Sequence, residues 1–292
     1  MGVMRRRLTT LWAVALLGLT AAGCSDDEGG EAPLPEESPT ALSELDVDPE
    51  AAAAVSQGLD ALREGNTGTF TTHLDYAELA YDYHGSYRIA PAQHRMSVTA
   101  ALAEGPVATD VVGHAGGYHV RLPSDGPVSS RCWVSGDPQR IAEATGLETN
   151  PDFERLPGAL GLAATATGAA YAGGSGELLG SVDLATAAAL ISPRLPALLA
   201  VTAGQVRVLA RLSLDAGVLT GIGVDGPAIL AALEQSGTEA DPAELAEVFG
   251  AATPIQVGLA DSGAQVVIRP PAPAAVIALG APDAQNRLAA CG

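Results

Sequence analysis

The chain has 292 residues, of which 47% are hydrophobic and only 4% aromatic, and its formal charge at pH 7 is −19. Its 15 basic residues are all arginine and stand against 34 aspartates and glutamates. So acidic a surface repels phosphates and anionic headgroups, which argues against a nucleic-acid partner and against a polybasic membrane contact.

The first 23 residues have the pattern of an export signal. Arg5, Arg6 and Arg7 form a positive n-region, and a nearly uncharged apolar run over residues 8–22 follows them. This run is shorter than the roughly 20 residues that a helix needs to span a bilayer. Removal of residues 1–23 takes away three arginines and no acidic residue, so the formal charge would change from −19 to −22.

Cys24 directly follows the small residues Ala22 and Gly23. This ending resembles the bacterial lipobox, in which the cysteine thiol takes a diacylglyceryl group before the chain is cleaved on its N-terminal side. Ala21 departs from the pattern, because leucine is commoner there. The resemblance implies a lipid anchor on Cys24 at the extracytoplasmic face of a bacterial membrane. Its two acyl chains would hold firmly, since each buried CH₂ contributes about 0.8 kcal/mol. The alternative is an ordinary signal peptide or membrane anchor that contains a cysteine.

Residues 24–49 are predicted to be a disordered tether. The stretch from Ser25 to Glu50 holds ten acidic residues, no basic residue and four prolines. Such a segment cannot bury enough apolar surface to offset the entropy of ordering it. Asp46, Asp48 and Glu50 resemble calcium ligands, but the loop glycine and the distal glutamate of an EF-hand are missing.

Residues 50–292 are predicted to form one β-rich domain. A helix is expected over Pro49–Glu64, because Val55, Leu59 and Leu62 recur at helical spacing. From Thr67 the apolar residues alternate, which predicts an antiparallel meander with turns at the Gly and Pro positions. The expected strands there are a first strand through Phe70, Thr72, Leu74 and Tyr76, then Tyr81–Ile89, His94–Leu102, Gly117–Leu122 and Arg131–Ser135.

The second half has weaker signals in its middle and stronger ones after residue 205. Pro151–Ala172 has helical spacing interrupted by Pro157 and glycines. In Gln205–Asp215 one face is apolar, while Arg207 and Arg211 lie on the other. The remaining expected elements are a strand over Gly176–Leu184, helices over Ala185–Ile191, Gly226–Gln235 and Pro242–Phe249, a strand Val218–Val224 after the turn Asp215-Ala216-Gly217, and a last hairpin of Ile255–Leu259 with Ala264–Arg269.

Two cysteines remain once Cys24 is assigned to the lipid. Cys132 and Cys291 are an even pair in an oxidising compartment, so a disulfide between them is expected. Two unpaired thiols are the alternative.

No catalytic, metal or cofactor site is expected. The histidines at 73, 84, 94, 114 and 119 do not form a His-Glu-x-x-His pair, so structural or surface roles are favoured over metal binding. Ser175 lies in a glycine-rich turn that lacks the spacing of a nucleophile elbow. Tyr76, Tyr81, Tyr83 and Tyr87 form either an aromatic site or, the favoured interpretation, a set that packs at a sheet edge with hydroxyls in water.

The order of these features resembles that of actinobacterial lipoproteins of the LppX/LprG type, which have the LolA-like fold. Gly117 to Pro123 followed by Cys132-Trp133-Val134 is similar to the family's paired strands with a tryptophan, and Ile255 to Pro271 is similar to its closing strands. The resemblance covers about residues 50–275. It implies an α+β fold, in which a curved antiparallel sheet, a half-barrel, wraps around a few helices and encloses an apolar cavity for acyl chains. The family is associated with carrying lipids or lipoglycans.

Three functions therefore remain open. The first is a lipid-anchored protein that binds or transfers a lipid or other amphiphile, with ligand-binding residues unassigned. The second is a structural or regulatory envelope lipoprotein that acts through an unidentified protein partner, and a wall-acting hydrolase is a distant third. Small Ala, Val and Leu side chains are compatible with either an open cavity or a thin, closely packed core.

Replacement of Cys24 tests the anchor. We expect the Cys24→Ala protein to leave the membrane fraction with an unchanged thermal unfolding midpoint, because the thiol carries the lipid and lies outside the expected fold. Ser25→Ala, which keeps the thiol, is the matched control and should stay in the membrane fraction. A Cys24→Ala protein that still sediments with membranes after signal removal would show that the lipobox assignment is wrong.

Overall fold

A computed structural model describes residues 41–76, 79–102, 105–114, 117–121, 132–136, 140–141, 158–171, 177–191, 195–237, 241–249 and 254–291. The predicted signal peptide, Cys24 and most of the predicted tether therefore lie outside the described residues, as do Ser175 and the expected helical start at 151–157. Residues 41–48 include a short 3₁₀ helix, Leu42–Glu44; its first residue, Leu42, and the residue that follows it, Leu45, pack against the core.

The described residues form an α+β structure built on one large, open and mostly antiparallel sheet. Its order is β12-β6-β5-β4-β3-β2-β1-β11-β10-β9-β8-β7, and only β12 and β6 are parallel to each other. This arrangement fits the expected curved antiparallel sheet. The strands are β1 (Thr67–Tyr76), β2 (Leu79–Arg88), β3 (Gln93–Leu102), β4 (Gly105–His114), β5 (Gly117–Arg121), β6 (Trp133–Ser135), β7 (Thr167–Tyr171), β8 (Glu177–Asp183), β9 (Arg207–Asp215), β10 (Val218–Val224), β11 (Ile255–Ala260) and β12 (Val276–Ala278).

Alternation of side chains divides the sheet into two faces. Phe70, Thr72 and Leu74 of β1 are buried, whereas Thr71 and Asp75 on the alternate positions are exposed. We call the face that carries Phe70 and Leu74 the inner face and the opposite one the outer face. Over the described residues the predicted period-two strands other than Ala264–Arg269 are confirmed, as is the prediction that Arg207 and Arg211 lie opposite the apolar side of β9.

Three strands, β4, β7 and β12, were not expected from the sequence. In β4, Gly105-Pro106 and Gly113 were interpreted as turns, but all three lie in register with β3. Gly113 is needed because a Cβ there would collide with the ring of His94. In β7, within the predicted helical stretch 151–172, the sequence Thr-Gly-Ala-Ala-Tyr has little alternation of its own. Its strand conformation is stabilised by pairing with β8 and by α1 (Pro49–Gly65), which packs on it.

The helices agree with the sequence where caps mark their ends. Helix α1 begins after Asp48, whose carboxylate accepts a hydrogen bond from Glu50 N, and ends at Asn66 in the left-handed region. The other helices are α2 (Gly158–Ala164), α3 (Leu184–Ile191), α4 (Leu195–Leu198), α5 (Gly226–Ser236), α6 (Pro242–Phe249), α7 (Ala284–Ala289) and a 3₁₀ helix at Pro273–Ala275.

Three helices cover the inner face. Helix α1 packs on β7 and β10, and Gly58 allows its backbone to approach that of β10 at Leu219. Helices α2 and α3 contact each other and β1. The core therefore lies between these helices and the sheet.

A buried carboxylate fixes the start of α3. Asp183 is 2% exposed, and it accepts hydrogen bonds from the backbone N and the hydroxyl of Thr186 and from Gly204 N. The neighbouring Arg207 donates to the carbonyls of Thr165 and Ser181, which joins β9 to β8 and to the end of α2. Burial lowers the pKa of Arg207, while Asp183 opposes this shift. These bonds satisfy polar groups that would otherwise be costly to bury.

The predicted last hairpin is wrong. Ala264–Arg269 is not a strand, and Val267 within it is 64% exposed. The reason is that β11 is paired with β1 on one side and with β10 on the other. Because both sides of β11 are occupied, no edge is available for a hairpin partner. The segment instead continues outside the sheet toward β12.

The two cysteines that were predicted to pair lie together at the end of the sheet where β6 and β12 run parallel. The Sγ atoms of Cys132 and Cys291 are 2.01 Å apart and their Cα atoms 6.1 Å apart, which is compatible with a disulfide bond. Cys132 precedes β6, and Cys291 follows α7, which packs on β12. The pair therefore joins the C-terminal segment to β6.

We expect reduction of this pair to destabilise the protein. The two cysteines are 159 residues apart, for which the loop-entropy model gives an upper value of about 5 kcal/mol in the free energy of unfolding. Urea unfolding with and without a reductant measures the loss. The Cys132→Ser/Cys291→Ser protein is the control, because its midpoint should not respond to the reductant. If the wild-type midpoint does not respond either, the two thiols are not bonded in solution.

Candidate functional site

An apolar cavity lies between the inner face and helices α2 and α3. Its volume is about 10 Å³, the lower limit of the about 10–15 Å³ that one water molecule needs. The lining is almost entirely nonpolar, so the cavity is expected to be dry. The lining residues are Phe70, Thr72 and Leu74 of β1, Tyr83 of β2, Met96 of β3, Gly158 and Ala159 of α2, and Leu190 of α3.

Small residues on the covering helix leave this gap. Phe70 lies opposite Gly85, and Gly85 lies opposite Met96 on the next strand. A Cβ at Gly85 would collide with the backbone of Arg95 and with Met96, so Gly85 allows β3 to approach closely and does not itself line the cavity. On the helix side, α2 contributes Gly158 and Ala159, which are too small to fill the space.

A set of buried polar rings continues along the inner face from this cavity. Tyr87 lies opposite His94 in the register, and both are 0% exposed. The ring of His94 lies 6.4 Å from that of Tyr118 on β5. The Tyr87 hydroxyl has no hydrogen-bond partner among the described residues, and Gly68 leaves the space that it occupies. Burial raises the pKa of Tyr87 to about 12.

The predicted edge location of the tyrosines is wrong. Strand β2 lies inside the sheet between β1 and β3, and Tyr81, Tyr83 and Tyr87 share the inner face. Tyr81 and Tyr83 are stacked with their ring centroids 6.4 Å apart, and Tyr83 lines the cavity. The even spacing of the tyrosines predicted a shared face, but sequence spacing cannot place a strand within a sheet.

A second group of polar side chains lies on the outer face of β4, β5 and β6. Arg121 forms an ion pair with Asp110 at 2.7 Å, and its guanidinium carbon lies 5.0 Å from the centre of the Trp133 ring. His114 and His119 face each other with their Nε2 atoms 3.0 Å apart. Burial, and then the neighbouring His114, lower the pKa of His119.

The other histidines do not join this group. His73 bonds to Asp82 at 2.8 Å through Nδ1, His84 is exposed on the outer face, and His94 is buried on the inner face. Among the described residues no group of three or more His, Cys, Asp or Glu side chains is arranged to hold a metal ion. The described helices also include none that is long and apolar enough to cross a membrane.

Part of the cavity lining could be predicted from the sequence. Phe70, Thr72 and Leu74 follow from the alternation in β1, and Met96 shares the parity of His94 and Val98 in β3. The contributions of Ala159 and Leu190 could not be found, because no sequence pattern specifies which helix covers which strand. Cys24, the one residue predicted to carry lipid, lies outside the described residues.

No protein-family model matches this chain, and no curated protein matches it. The resemblance to LppX/LprG-type lipoproteins therefore rests on the sequence features described above.

Ionisation of Tyr87 should make stability depend on pH in the alkaline range. An unfolded tyrosine ionises near pH 10, whereas buried Tyr87 ionises at about 12. Between these values the unfolded state loses its proton first, so the free energy of unfolding falls as pH rises. Tyr87→Phe should remove this fall, and at pH 7 it should be neutral or stabilising by about 1 kcal/mol, because the hydroxyl is buried without a partner among the described residues.

Urea unfolding at pH 7, 10 and 11 measures both effects. Tyr171→Phe is the matched control, because Tyr171 is half-exposed and should behave as the wild type does. A Tyr87→Phe protein that is clearly less stable at pH 7 would show that the hydroxyl has a hydrogen-bond partner in solution.

Proposed function

We propose that this chain is a lipoprotein of the bacterial cell envelope, anchored through Cys24 at the extracytoplasmic face, with a LolA-like domain that binds or transfers a lipid or similar amphiphile. The observation that carries the proposal is the apolar cavity between the inner face and helices α2 and α3. An acyl chain is the ligand class that fits such a lining, because it needs no hydrogen-bond partners and gains free energy from burial.

Occupation by an acyl chain requires the helices to move. A cavity of about 10 Å³ is much smaller than a ligand pocket of about 300 Å³ or more. The interface that must open is made largely of small side chains, since α2 reads Gly-Ala-Leu-Gly-Leu-Ala-Ala and α3 reads Leu-Ala-Thr-Ala-Ala-Ala-Leu-Ile. Alanine and glycine bury little apolar area each, so separation of these helices from the sheet costs less than separation of a Leu-rich interface.

The lining itself is suited to a ligand of irregular shape. Met96 has an unbranched, flexible side chain that can repack around an acyl chain. Thr72 and Tyr83 are the lining residues whose side chains carry a polar atom. The ligand class proposed is therefore one with an extended apolar part and a small polar group.

The small cavity volume favours a second candidate function. If the helices do not move, the domain is a filled α+β core, and the protein is a structural or regulatory envelope lipoprotein that acts through protein contacts. That function predicts no bound lipid at any stage and a partner that can be cross-linked at the cell surface.

Lipid analysis of protein purified from native membranes separates the two. We expect the wild type to co-purify with an amphiphile that is not covalently attached. The amount of this amphiphile should be reduced several-fold in Ala159→Leu, because the added carbons occupy the cavity. Ala187→Leu is the matched control: Ala187 is equally buried but belongs to α3 outside the lining, so this variant carries a similar overpacking cost of about 1–3 kcal/mol.

The comparison is made by mass spectrometry at equal amounts of folded protein. A wild type without co-purified lipid, or equal losses in the two variants, would reject lipid binding at this cavity and favour the scaffold function.

A further inference from the structure

Two histidines on the outer face face each other across the β4–β5 hairpin. His114 ends β4 and His119 lies in β5, and their Nε2 atoms are 3.0 Å apart. Their ring centroids are 5.1 Å apart with an angle of 25° between the ring planes. The sequence spacing of five residues favoured separate structural roles, but the hairpin register brings the rings together.

The backbone holds this pair in place. His114 lies opposite Gly117 and His119 opposite Val112, so the histidines are diagonal neighbours across an antiparallel ladder. Both side chains are half-buried. Two ligands on paired strands lose little further freedom on binding a common ion, which is the requirement for a chelate.

The distance between the two nitrogens fits adjacent ligands of one metal ion. With metal–nitrogen bonds of about 2.0–2.1 Å, nitrogens 3.0 Å apart subtend about 90–97° at the metal. A tetrahedral ion with the same bonds would need a separation of about 3.3–3.4 Å. An angle near 90° is that of adjacent ligands in square-planar or tetragonal Cu²⁺ and Ni²⁺ complexes, and imidazole is a preferred ligand of both.

We propose that His114 and His119 form a two-imidazole chelate for a tetragonal divalent transition metal, with Cu²⁺ bound more tightly than Ni²⁺ or Zn²⁺. The order follows the Irving–Williams series. Water fills the remaining positions, because no third His, Cys, Asp or Glu ligand stands with this pair among the described residues. Such a site binds an exchangeable ion rather than a structural one.

The charges around the pair permit a cation. Arg121 lies two residues further along the same face of β5, and its ion pair with Asp110 offsets its positive charge. Acidification should release the metal, because protons compete for the same nitrogens.

Protonation also limits the affinity. Without metal, one Nε2–H donates to the other Nε2 across 3.0 Å. Nδ1 of His119 is buried without a partner among the described residues, so we assign the donated proton to Nε2 of His119. Metal binding moves this proton to Nδ1, where the described residues offer no acceptor. We therefore expect weaker binding than at a site whose ligands have outer partners.

Copper titration of the full chain in detergent tests the proposal. CuCl₂ is added in the presence of excess MgCl₂, which occupies the many carboxylates but does not compete for imidazole. Calorimetry gives the affinity, and electron paramagnetic resonance counts the coordinated nitrogens. We expect one saturable Cu²⁺ with two histidine nitrogens.

Three single variants make the result specific. His114→Gln and His119→Gln should each weaken Cu²⁺ binding by at least about tenfold, because the second ligand of a chelate binds intramolecularly. His84→Gln, which removes an exposed outer-face histidine of β2, should leave affinity and spectrum unchanged. Metal-free unfolding curves confirm that all three variants are folded.

Two results would overturn the proposal. One is a wild type with no saturable Cu²⁺ binding in excess Mg²⁺. The other is an unchanged Cu²⁺ affinity in both His114→Gln and His119→Gln, as in the control His84→Gln. The metal would then bind elsewhere. Tighter binding of Zn²⁺ than of Cu²⁺ would reject the tetragonal geometry.

Discussion

The structure depends on the pairing of β1 with strands from both halves of the chain. Its register joins Phe70 to Gly85 of β2 on one side and to Leu259 of β11 on the other. Strands β2 to β6 continue the sheet in one direction, and β11 to β7 continue it in the other. Because β11 follows β1 by almost 180 residues, the sheet becomes continuous only when this long-range contact forms. The same strand supplies Phe70, Thr72 and Leu74 to the cavity.

Small side chains determine how the helices meet this sheet. Only 4% of the chain is aromatic, and the inner-face helices α2 and α3 are composed mainly of alanine, leucine and glycine. Glycine and alanine allow close approach, as at Gly58 against the backbone of β10. They also bury little area, and polar anchors such as Asp183 at the start of α3 add to the apolar packing of the leucines in this layer. A layer of this kind can fill a core or open around a ligand.

The two faces of the sheet carry different chemistry. The inner face combines apolar side chains with the buried rings of Tyr87 and His94, whereas the outer face carries ion pairs and the His114–His119 contact. Alternation along each strand makes this separation possible, since neighbouring residues point to opposite faces. The domain therefore offers an apolar interior and an independent polar surface on the same strands.

The sequence by itself determined many of the local elements and predicted a location for the protein. The apolar spacing of α1 and the alternation of β1 and β9 were sufficient to place these elements, because their signals are contained within each segment. The signal pattern and Cys24 likewise give an expected location without any fold. Cys132 and Cys291 were an expected pair from their number alone.

Only the tertiary structure decided which segments meet. Strands β4 and β7 have weak signals of their own and become strands because neighbours pair with them, while Ala264–Arg269 has a strong strand signal but finds no free edge. The inner position of β2 and the contact of His114 with His119 follow from pairing between strands, and the gap beneath Ala159 follows from the packing of α2 on the sheet. The physical reason is that pairing across the sheet satisfies backbone hydrogen bonds between distant segments, and no single segment's pattern of side chains encodes its partner.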